Sequence, residues 1–302
     1  MPTKNILAVG SVALDSVETP FGKVQDALGG SVTYFSASAR FFSPVSLVAV
    51  VGRDFPDKHL KLMRRLGVDT RGVRKEPGNT FRWKGVYNFD LSNPKTLKTQ
   101  LNVFKNFKPL LLPEHKRSPF VFLANIDPEI QETVLGQVER PLLTACDTMN
   151  FWIEHKRSGL LRILRKVDIL LCNDSEAREL SGENNLIKAS QWILSHGPRL
   201  AVIKKGEHGA LCFSKDFMFL APAYLLEVVF DPTGAGDAFA GGFMGYLTRS
   251  PSLRESEVRK AVVYGSVLAS YTVESFSLRR LVSLRWPQIH ARVRQFKALT
   301  RF

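Results

Sequence analysis

The chain carries only three cysteines, Cys146, Cys172 and Cys212, far apart, in apolar surroundings and with no CxxC among them. A disulfide framework is excluded, and neither a structural zinc site nor a dithiol redox motif has support. A reducing, cytoplasmic setting is the natural expectation. Apolar runs stay well short of the roughly 18 residues that a membrane-spanning helix needs, so no membrane partner is expected. The start, Met1-Pro2-Thr3-Lys4-Asn5, leads straight into a strand-like run and lacks the pattern of a signal peptide. GxxxxGK[ST] and HExxH are missing, and no GxGxxG follows the first strand-like run, so P-loop, zinc-protease and dinucleotide sites have no basis. The six histidines are scattered without ligand spacing and read as surface or structural residues.

Acid is the scarce sign of charge: 42 Lys and Arg stand against 28 Asp and Glu in 302 residues, a net charge of +14. Half of that excess lies in residues 278–302, which hold no acid at all. A solvated amphipathic helix on the edge of the fold is the leading reading of this tail. Contact with nucleic acid, a membrane or another polyanion is the alternative for the tail alone. For the chain as a whole, nucleic acid is not an expected partner.

What the sequence has in quantity is a repeating order of short apolar runs and amphipathic stretches. Runs at 6–9, 46–51, 120–123, 142–146, 168–172 and 200–204 read as buried strands. Stretches at 31–42, 57–66, 129–138, 158–166, 175–180 and 186–195 read as helices. This alternation predicts an α/β fold, a mostly parallel sheet with helices on both faces. After residue 230 the pattern turns helical, at 237–247, 254–275 and 287–300. No repeat, low-complexity tract or linker divides the chain, so residues 1–302 are expected to form one domain ending in a basic helical tail, 284–302.

Two stretches break the alternation. Over 80–89, Phe81, Trp83, Tyr87 and Phe89 share one strand face, and Arg82, Lys84 and Asn88 share the other. Over 96–104, Leu97, Leu101 and Val103 oppose Lys98, Gln100 and Asn102. Period two predicts antiparallel strands standing outside the main sheet. With residues 15–29 they are expected to form a small β flap, segments 15–29 and 80–104; an ordinary sheet edge or a dimer surface is the alternative.

The densest local signal is Asp231-Pro232-Thr233-Gly234-Ala235-Gly236-Asp237, with Gly241-Gly242 downstream. Gly234, Ala235 and Gly236 open a helix, so unpaired backbone N–H groups and the positive end of the helix dipole converge on one point, which suits an anion. Asp237 in the first helical turn is stabilised in its charged form and placed to accept a proton from an alcohol beside that anion. Phosphoryl transfer to a hydroxyl needs this pairing of charge relief and base. Taken alone, GxGD reads first as a glycine-rich turn with Asp at a helix start.

In its full extent this segment resembles the second signature of the ribokinase-like (PfkB) family of carbohydrate and nucleoside kinases, and the resemblance covers essentially the whole chain. It implies a three-layer α-β-α fold with a β-sheet lid, ATP and Mg²⁺ as cofactors, and transfer of the γ-phosphoryl group to a hydroxyl of a sugar or sugar-like acceptor. A nucleoside acceptor, or a non-catalytic regulatory or nucleic-acid-binding role on the kinase fold, is the alternative. On the resemblance, Gly234, Ala235 and Gly236 would form the anion hole, Asp237 would be the base, and Asp231 beside Thr233 would hold K⁺. Gly10 to Asp15 looks like the family's first strand and its substrate-binding Asp15. Gly29-Gly30 matches the diglycine where the lid joins the body, and Gly52 with Asp54 continues that first signature. Asn173-Asp174-Ser175-Glu176 is similar to the N-x-x-E element, which would set Asn173 and Glu176 near the Mg²⁺ waters and phosphates. Asp174 and Ser175 would equally serve as a helix cap. Lys204-Lys205-Gly206-Glu207-His208-Gly209 is similar to the K-x-G-x-x-G turn beside the nucleotide, which would put Lys205 or Lys204 near phosphates and Gly206, Gly209 and Thr233 at ATP; a plain hairpin turn is the alternative. Gly265 and Ser266 match the helix that borders adenine, or serve helix packing.

The acceptor side departs from the family pattern. Family members often carry Asn four residues after the diglycine, where this chain has Tyr34, either a substrate contact or a packing aromatic. Residues 147–152 are similar to D-x-N-x-R but shift Asn150 and lack the Arg. Arg82, Asn102 and Asn150 are the remaining expected acceptor contacts, the flap's polar face looking down on Asp15 and Asp237. Its aromatic face would then point outward and be covered by the flap of a second subunit in a homodimer. The inverse orientation, with the aromatic face stacked on a base or sugar ring, is the rival.

Overall fold

A computed structural model of the chain describes residues 4–91 and 94–301; positions 1–3, flap positions 92 and 93, and residue 302 lie outside the described residues. In chain order the strands are β1 (Ile6–Val9), β2 (Ala13–Thr19), β3 (Gly22–Gly29), β4 (Val45–Gly52), β5 (Val68–Glu76), β6 (Arg82–Tyr87), β7 (Pro94–Gln100), β8 (Phe120–Leu123), β9 (Leu143–Asp147), β10 (Ile169–Asn173), β11 (Leu200–Lys204), β12 (Ala210–Phe213) and β13 (Met218–Ala221). The helices are α1 (Ser31–Ala39), α2 (Asp57–Arg65), α3 (Pro113–Lys116), α4 (Pro128–Leu135), α5 (Asn150–His155), α6 (Arg157–Leu164), α7 (Asp174–Ser181), α8 (Leu186–Ser195), α9 (Ala235–Leu247), α10 (Glu255–Thr272), α11 (Arg279–Ser283) and α12 (Trp286–Leu299).

The larger sheet runs β13-β12-β11-β10-β9-β8-β1-β4-β5. It is parallel from β5 to β11, and β12 and β13 add an antiparallel edge. Successive side chains of a strand point to opposite faces, and both faces are used. In β1, Ile6 and Ala8 enter one core with α1, α9, α10 and α12, while Leu7 and Val9 enter the other with α4, α6, α7 and α8. This explains why the central strands are continuous apolar runs. The chain leaves β1 toward β4 and β5, then returns to β8 on its other side, so the order reverses at β1. In open α/β sheets such a reversal opens a crevice at the carboxyl ends of the strands.

Small residues bring α9 onto that crevice. A Cβ at Gly241 would stand 2.3 Å from the Phe35 carbonyl of α1, and one at Gly242 would stand 2.9 Å from the Tyr264 carbonyl of α10. Two helices therefore clamp α9 at backbone distance and fix where its first turn points.

The smaller sheet runs β3-β2-β6-β7 and stands outside the larger one, as the flap segments predict. Two details differ from expectation. β2 and β6 pair in parallel, and β7 ends at Gln100, after which 102–106 form a 3₁₀ turn with Asn102 at φ +50°. Leu101, Asn102 and Val103 thus leave the strand alternation. The amide of Asn102 instead donates to the Thr80 carbonyl at 2.9 Å, which stabilises that left-handed turn.

Strands β5, β12 and β13 have no counterpart among the expected runs. The basic tail folds back as α11 and α12, burying Leu281, Ile289, Val293 and Phe296. Its Arg280 and Arg292 share Glu274 and lie over the Tyr271 ring. Among the described residues no helix is long and apolar enough to cross a membrane.

If the α9 clamp sets the site, Gly241→Ala should cost about 1–3 kcal/mol, the usual range for overpacking, read as a lowered urea midpoint. An unchanged midpoint would contradict the backbone contact with Phe35.

Candidate active site

The approach to α9 is built by Asp231. Its backbone and that of Phe230 both donate to the Val273 carbonyl, at 3.3 and 2.8 Å. One carboxylate oxygen accepts the Thr233 amide at 2.9 Å. The other, Oδ2, is buried without a hydrogen-bond partner among the described residues, and burial raises the carboxyl above its ordinary range. Gly234 then turns the chain at φ +77°, and the Tyr34 ring lies against it so closely that a Cβ would meet ring carbons at 2.4 Å. The Ala235 amide turns back to the Pro232 carbonyl at 3.2 Å. That leaves the Gly236 and Asp237 amides as first-turn donors without a protein acceptor among the described residues, at the positive end of the helix.

Asp237 faces this opening. Contrary to the charged form that its place in the first turn predicts, burial outweighs the helix dipole and pushes its carboxyl from 3.8 up to about 7; the Asp147 charge adds to the rise and Lys204 offsets part of it. Across the opening lies Asp15 on β2, also raised to about 7 by burial, partly relieved by the Gly30 amide at 3.3 Å, and raised further by Asp231 and Asp237. Gly29 is required beside it, since a Cβ there would sit 1.9 Å from the Asp15 carboxylate. The Tyr34 phenol is held protonated by its burial and by the same three carboxylates.

A second group of charges lines the carboxyl edge of the sheet. Strands β9, β10 and β11 each end in a polar residue, Asp147, Asn173 and Lys204, with Asn173 and Lys204 in register. Lys204 donates to Asp147 at 2.7 Å. Glu176 and Asn173 form a reciprocal cap on α7, at 2.7 and 2.8 Å, and burial raises Glu176 to about 7 although Lys204 opposes the rise. A Cβ at Gly236 would stand 3.3 Å from Lys204 Nζ, so the ammonium lies against the start of α9.

The structure thus gathers Asp15, Gly29, Gly30, Tyr34, Asp231, Thr233, Gly234, Gly236, Asp237 and, through Lys204, Glu176 and Asn173. Of the two lysines expected near phosphates, Lys204 is the one whose ammonium lies beside the start of α9, paired with Asp147. The Lys205 backbone amide closes its turn by donating to the Gly209 carbonyl at 2.8 Å. The Asn150 side-chain amide donates to the Glu179 carboxylate on α7. Strand alternation was the available signal: the last in-register residue of each run projects at the sheet edge, and the next one belongs to the turn. Gly206 and Gly209 hold that turn at φ +55° and +90°. Gly265 meets α9 closely, its Cβ position 2.9 Å from the Phe239 carbonyl, so it serves helix packing, with Ser266 buried beside it.

The flap orientation is the inverse of the one expected. The Tyr87 hydroxyl meets Thr233 Oγ1 at 3.3 Å, and Trp83 and Tyr87 gather with Val17 and Phe276. The aromatic face therefore looks inward. Trp83 is paired in register with Asp15, and its indole lies over Gly85, where a Cβ would clash at 2.3 Å. Arg82, on the opposite face, is engaged by Asp26 and, at 2.6 Å, by Asp54. It does not reach Asp15 or Asp237, because two carboxylates on the other side hold it. Phe89, beyond the strand, is exposed.

The sequence profile of the pfkB family carbohydrate kinases matches residues 15–283. A cytidine kinase from Thermococcus kodakarensis is 30% identical over 256 residues, covering 83% of this chain and 91% of that protein. A deoxyribokinase from Salmonella typhi is 26% identical over 83% of this chain and 84% of its own length. The solved nucleoside kinase of Methanocaldococcus jannaschii, an archaeal member of the ribokinase family, superposes with a TM-score of 0.80 at 21% identity, over 97% of this chain and 99% of that one. A putative ribokinase II from E. coli in complex with ATP and Mg²⁺ gives 0.78 at 17% identity, over 96% and 99%. The fold, three layers with a smaller sheet, is that of the ribokinases.

Asp15 and Asp237, raised from 3.8 to about 7 by burial, hold protons in the folded protein between about pH 4 and pH 7 that the unfolded chain has released. Their contribution to stability therefore falls as pH rises through that window. Asp237→Asn should gain stability relative to the parent protein from pH 4.5 to pH 8, read by urea unfolding at each pH. A difference that does not change with pH would contradict the buried-acid account.

Proposed function

The chain belongs to the pfkB family of carbohydrate kinases, and from that premise we propose that it transfers the γ-phosphoryl group of ATP to a hydroxyl on the pentose of a nucleoside. The observation that carries this reading is the inward face of the smaller sheet, where Trp83 pairs in register with Asp15 and so shares its face. A ribosyl hydroxyl bound by Asp15 brings its base against the indole, which a free sugar would leave uncovered. The similar cytidine kinase and nucleoside kinase support the choice, while the similar deoxyribokinase keeps free pentoses in the comparison.

In this reading Asp237 takes the proton of the acceptor hydroxyl as its oxygen attacks the γ-phosphorus. The bond from phosphorus to the bridging oxygen breaks and ADP departs. The Gly236 and Asp237 amides bear the charge that develops on the phosphoryl oxygens. Gly206, Gly209 and Thr233 would line the nucleotide side, while Gly265 and Ser266 keep the packing role that their contacts with α9 give them. Among the described residues no three carboxylates, imidazoles or thiols converge as a direct metal cage, so Glu176 and Asn173 would reach Mg²⁺ through its waters. When bound, Mg²⁺ neutralises phosphate charge. The buried, unpartnered Asp231 Oδ2 fits a monovalent cation such as K⁺, which would pin the Thr233 turn. The three free, buried thiols accord with a cytoplasmic setting. With the aromatic face turned inward, the argument for a flap-to-flap homodimer no longer holds.

An ATP-consumption screen over nucleosides and free sugars should give kcat/KM for a nucleoside, cytidine foremost, above that of ribose, deoxyribose or fructose. Trp83→Ala should then raise nucleoside KM about tenfold or more, the scale of one base–aromatic stack at about 1–3 kcal/mol, and leave ATP KM unchanged. Preference for a free sugar with no effect of Trp83→Ala would defeat the nucleoside assignment. Replacing Na⁺ by K⁺ at constant ionic strength should raise the rate; equal rates would remove the cation role of Asp231.

A further inference from the structure

A hollow of about 590 Å³ lies between the smaller sheet and the body, with β3 on one side and α2, α11 and the residues that lead into α11 on the other. Asp15, Tyr34, Trp83 and Asp237 do not line it, so it is separate from the site described above. Its size suits a small organic molecule. Basic side chains reach it from every side, Lys23 from β3, Lys58 and His59 from α2, and Arg279 from α11. Among the described residues no carboxylate pairs with Lys23, Lys58 or Arg279. The one acid of the lining, Asp26, is engaged by Arg82. Lys61, Arg64 and Arg65 surround a neighbouring hollow that shares Lys58, so the potential over this side of α2 is positive. Leu28, Leu62 and Val282 add an apolar wall. Separated cations beside an apolar wall match an organic anion with charge at more than one place better than a bare ion.

The β3 wall also carries the irregularity beside Asp15. Asp15 pairs with Ala27 and Val17 with Val24, so Gln25 and Asp26 together oppose Ser16. An extra residue of this kind bends its strand and re-aims the side chains next to it. Asp26 takes φ +48° there, and its amide donates to Ser16 Oγ at 3.1 Å. Gln25, Asp26 and Ala27 all line the hollow, so whatever fills it touches the bulge that sets Asp15. Leu28, the next residue, is tied to the body through its carbonyl, which accepts Ser277 Oγ at 2.5 Å.

We propose that this hollow is an effector site for a small organic anion bearing two phosphate groups, and that its occupant, by holding β3 to α2 and α11, strengthens acceptor binding at Asp15. Without an anion, Lys23 on the smaller sheet repels Lys58 and Arg279 on the body. An anion among them replaces that repulsion with attraction across the boundary between sheet and body. The bulge is then held from outside, and Asp15 with it. By linkage, acceptor and effector raise each other's affinity by the same factor.

Fructose bisphosphate and inorganic phosphate are titrated by calorimetry into the parent protein already saturated with AMP-PNP and Mg²⁺, which fill the nucleotide side. The bisphosphate should bind with a Kd below about 1 mM and about tenfold or more tighter than inorganic phosphate, which meets the cations at one place only. The double variant Lys58→Ala with Arg279→Ala should weaken it about tenfold or more, the scale of lost hydrogen bonds to charged groups, with the urea midpoint and the basal kcat as in the parent protein. Hydrogen exchange read by mass spectrometry should slow on binding over residues 22–29 and 277–282, and also over 13–19. No binding of the bisphosphate, or binding that the double variant leaves unchanged, would overturn the site. Binding with unchanged exchange over 13–19 would overturn its link to Asp15. Only the last arm rests on the kinase reading: with an acceptor in hand, the bisphosphate should lower acceptor KM about fivefold, and an unchanged KM would likewise overturn the link. Failure of the parent protein to phosphorylate any acceptor would instead overturn the kinase reading, and calorimetry and exchange would still decide the effector site.

Discussion

Carboxylates withdrawn from water around one helix start govern the arrangement of this site. Asp15, Asp231 and Asp237 come from a strand of the smaller sheet, from the loop before α9 and from α9 itself, and each is raised by burial. Like charges at close range in a poorly solvated space oppose folding, so the surrounding backbone has to compensate. Gly29 admits the Asp15 carboxylate and the Gly30 amide donates to it, the Tyr34 ring packs against Gly234, and the Thr233 amide relieves one oxygen of Asp231. The cost has a chemical use, since a carboxyl near 7 is matched to proton transfer at neutral pH. Sites that sacrifice stability in this manner are characteristically functional.

The same constraint explains the seating of the smaller sheet. Thr19 donates to the Phe230 carbonyl at 2.8 Å, Ser277 donates to the Leu28 carbonyl, and Tyr87 meets Thr233. Two of these bonds end on the loop that holds Asp231, and the third on the segment after α10, whose Val273 carbonyl accepts the Asp231 amide. The sheet that carries Asp15 and Trp83 is therefore fastened to the loop that orients the start of α9, so the proposed acceptor side and anion hole would share one framework.

Much of this was legible in the sequence, for physical reasons that also mark the limit. The central strands announce themselves because strands buried on both faces are unbroken apolar runs. Strands β5 and β13 lie at the edges of the sheet and carry charged or exposed residues, as in Val68-Asp69-Thr70-Arg71, which hides them. The glycine-rich start of α9 and the capping pair Asn173 and Glu176 are local motifs, readable without tertiary information. Period two in β6 separates Trp83 and Tyr87 from Arg82, but alternation does not say which face turns inward. That is decided by partners distant in sequence, Thr233 for Tyr87 and Asp54 for Arg82. The choice between Lys204 and Lys205 turns on a single residue of strand register.

The central claim is that Asp237 removes the acceptor proton at an anion hole that binds the phosphates independently of it. The most direct measurement is turnover of Asp237→Asn with the best acceptor and saturating ATP and Mg²⁺, beside ATP affinity measured separately by calorimetry. The account predicts that kcat falls on the order of 10²-fold or more while ATP affinity stays within about twofold. Turnover within a few-fold of the parent protein would contradict it.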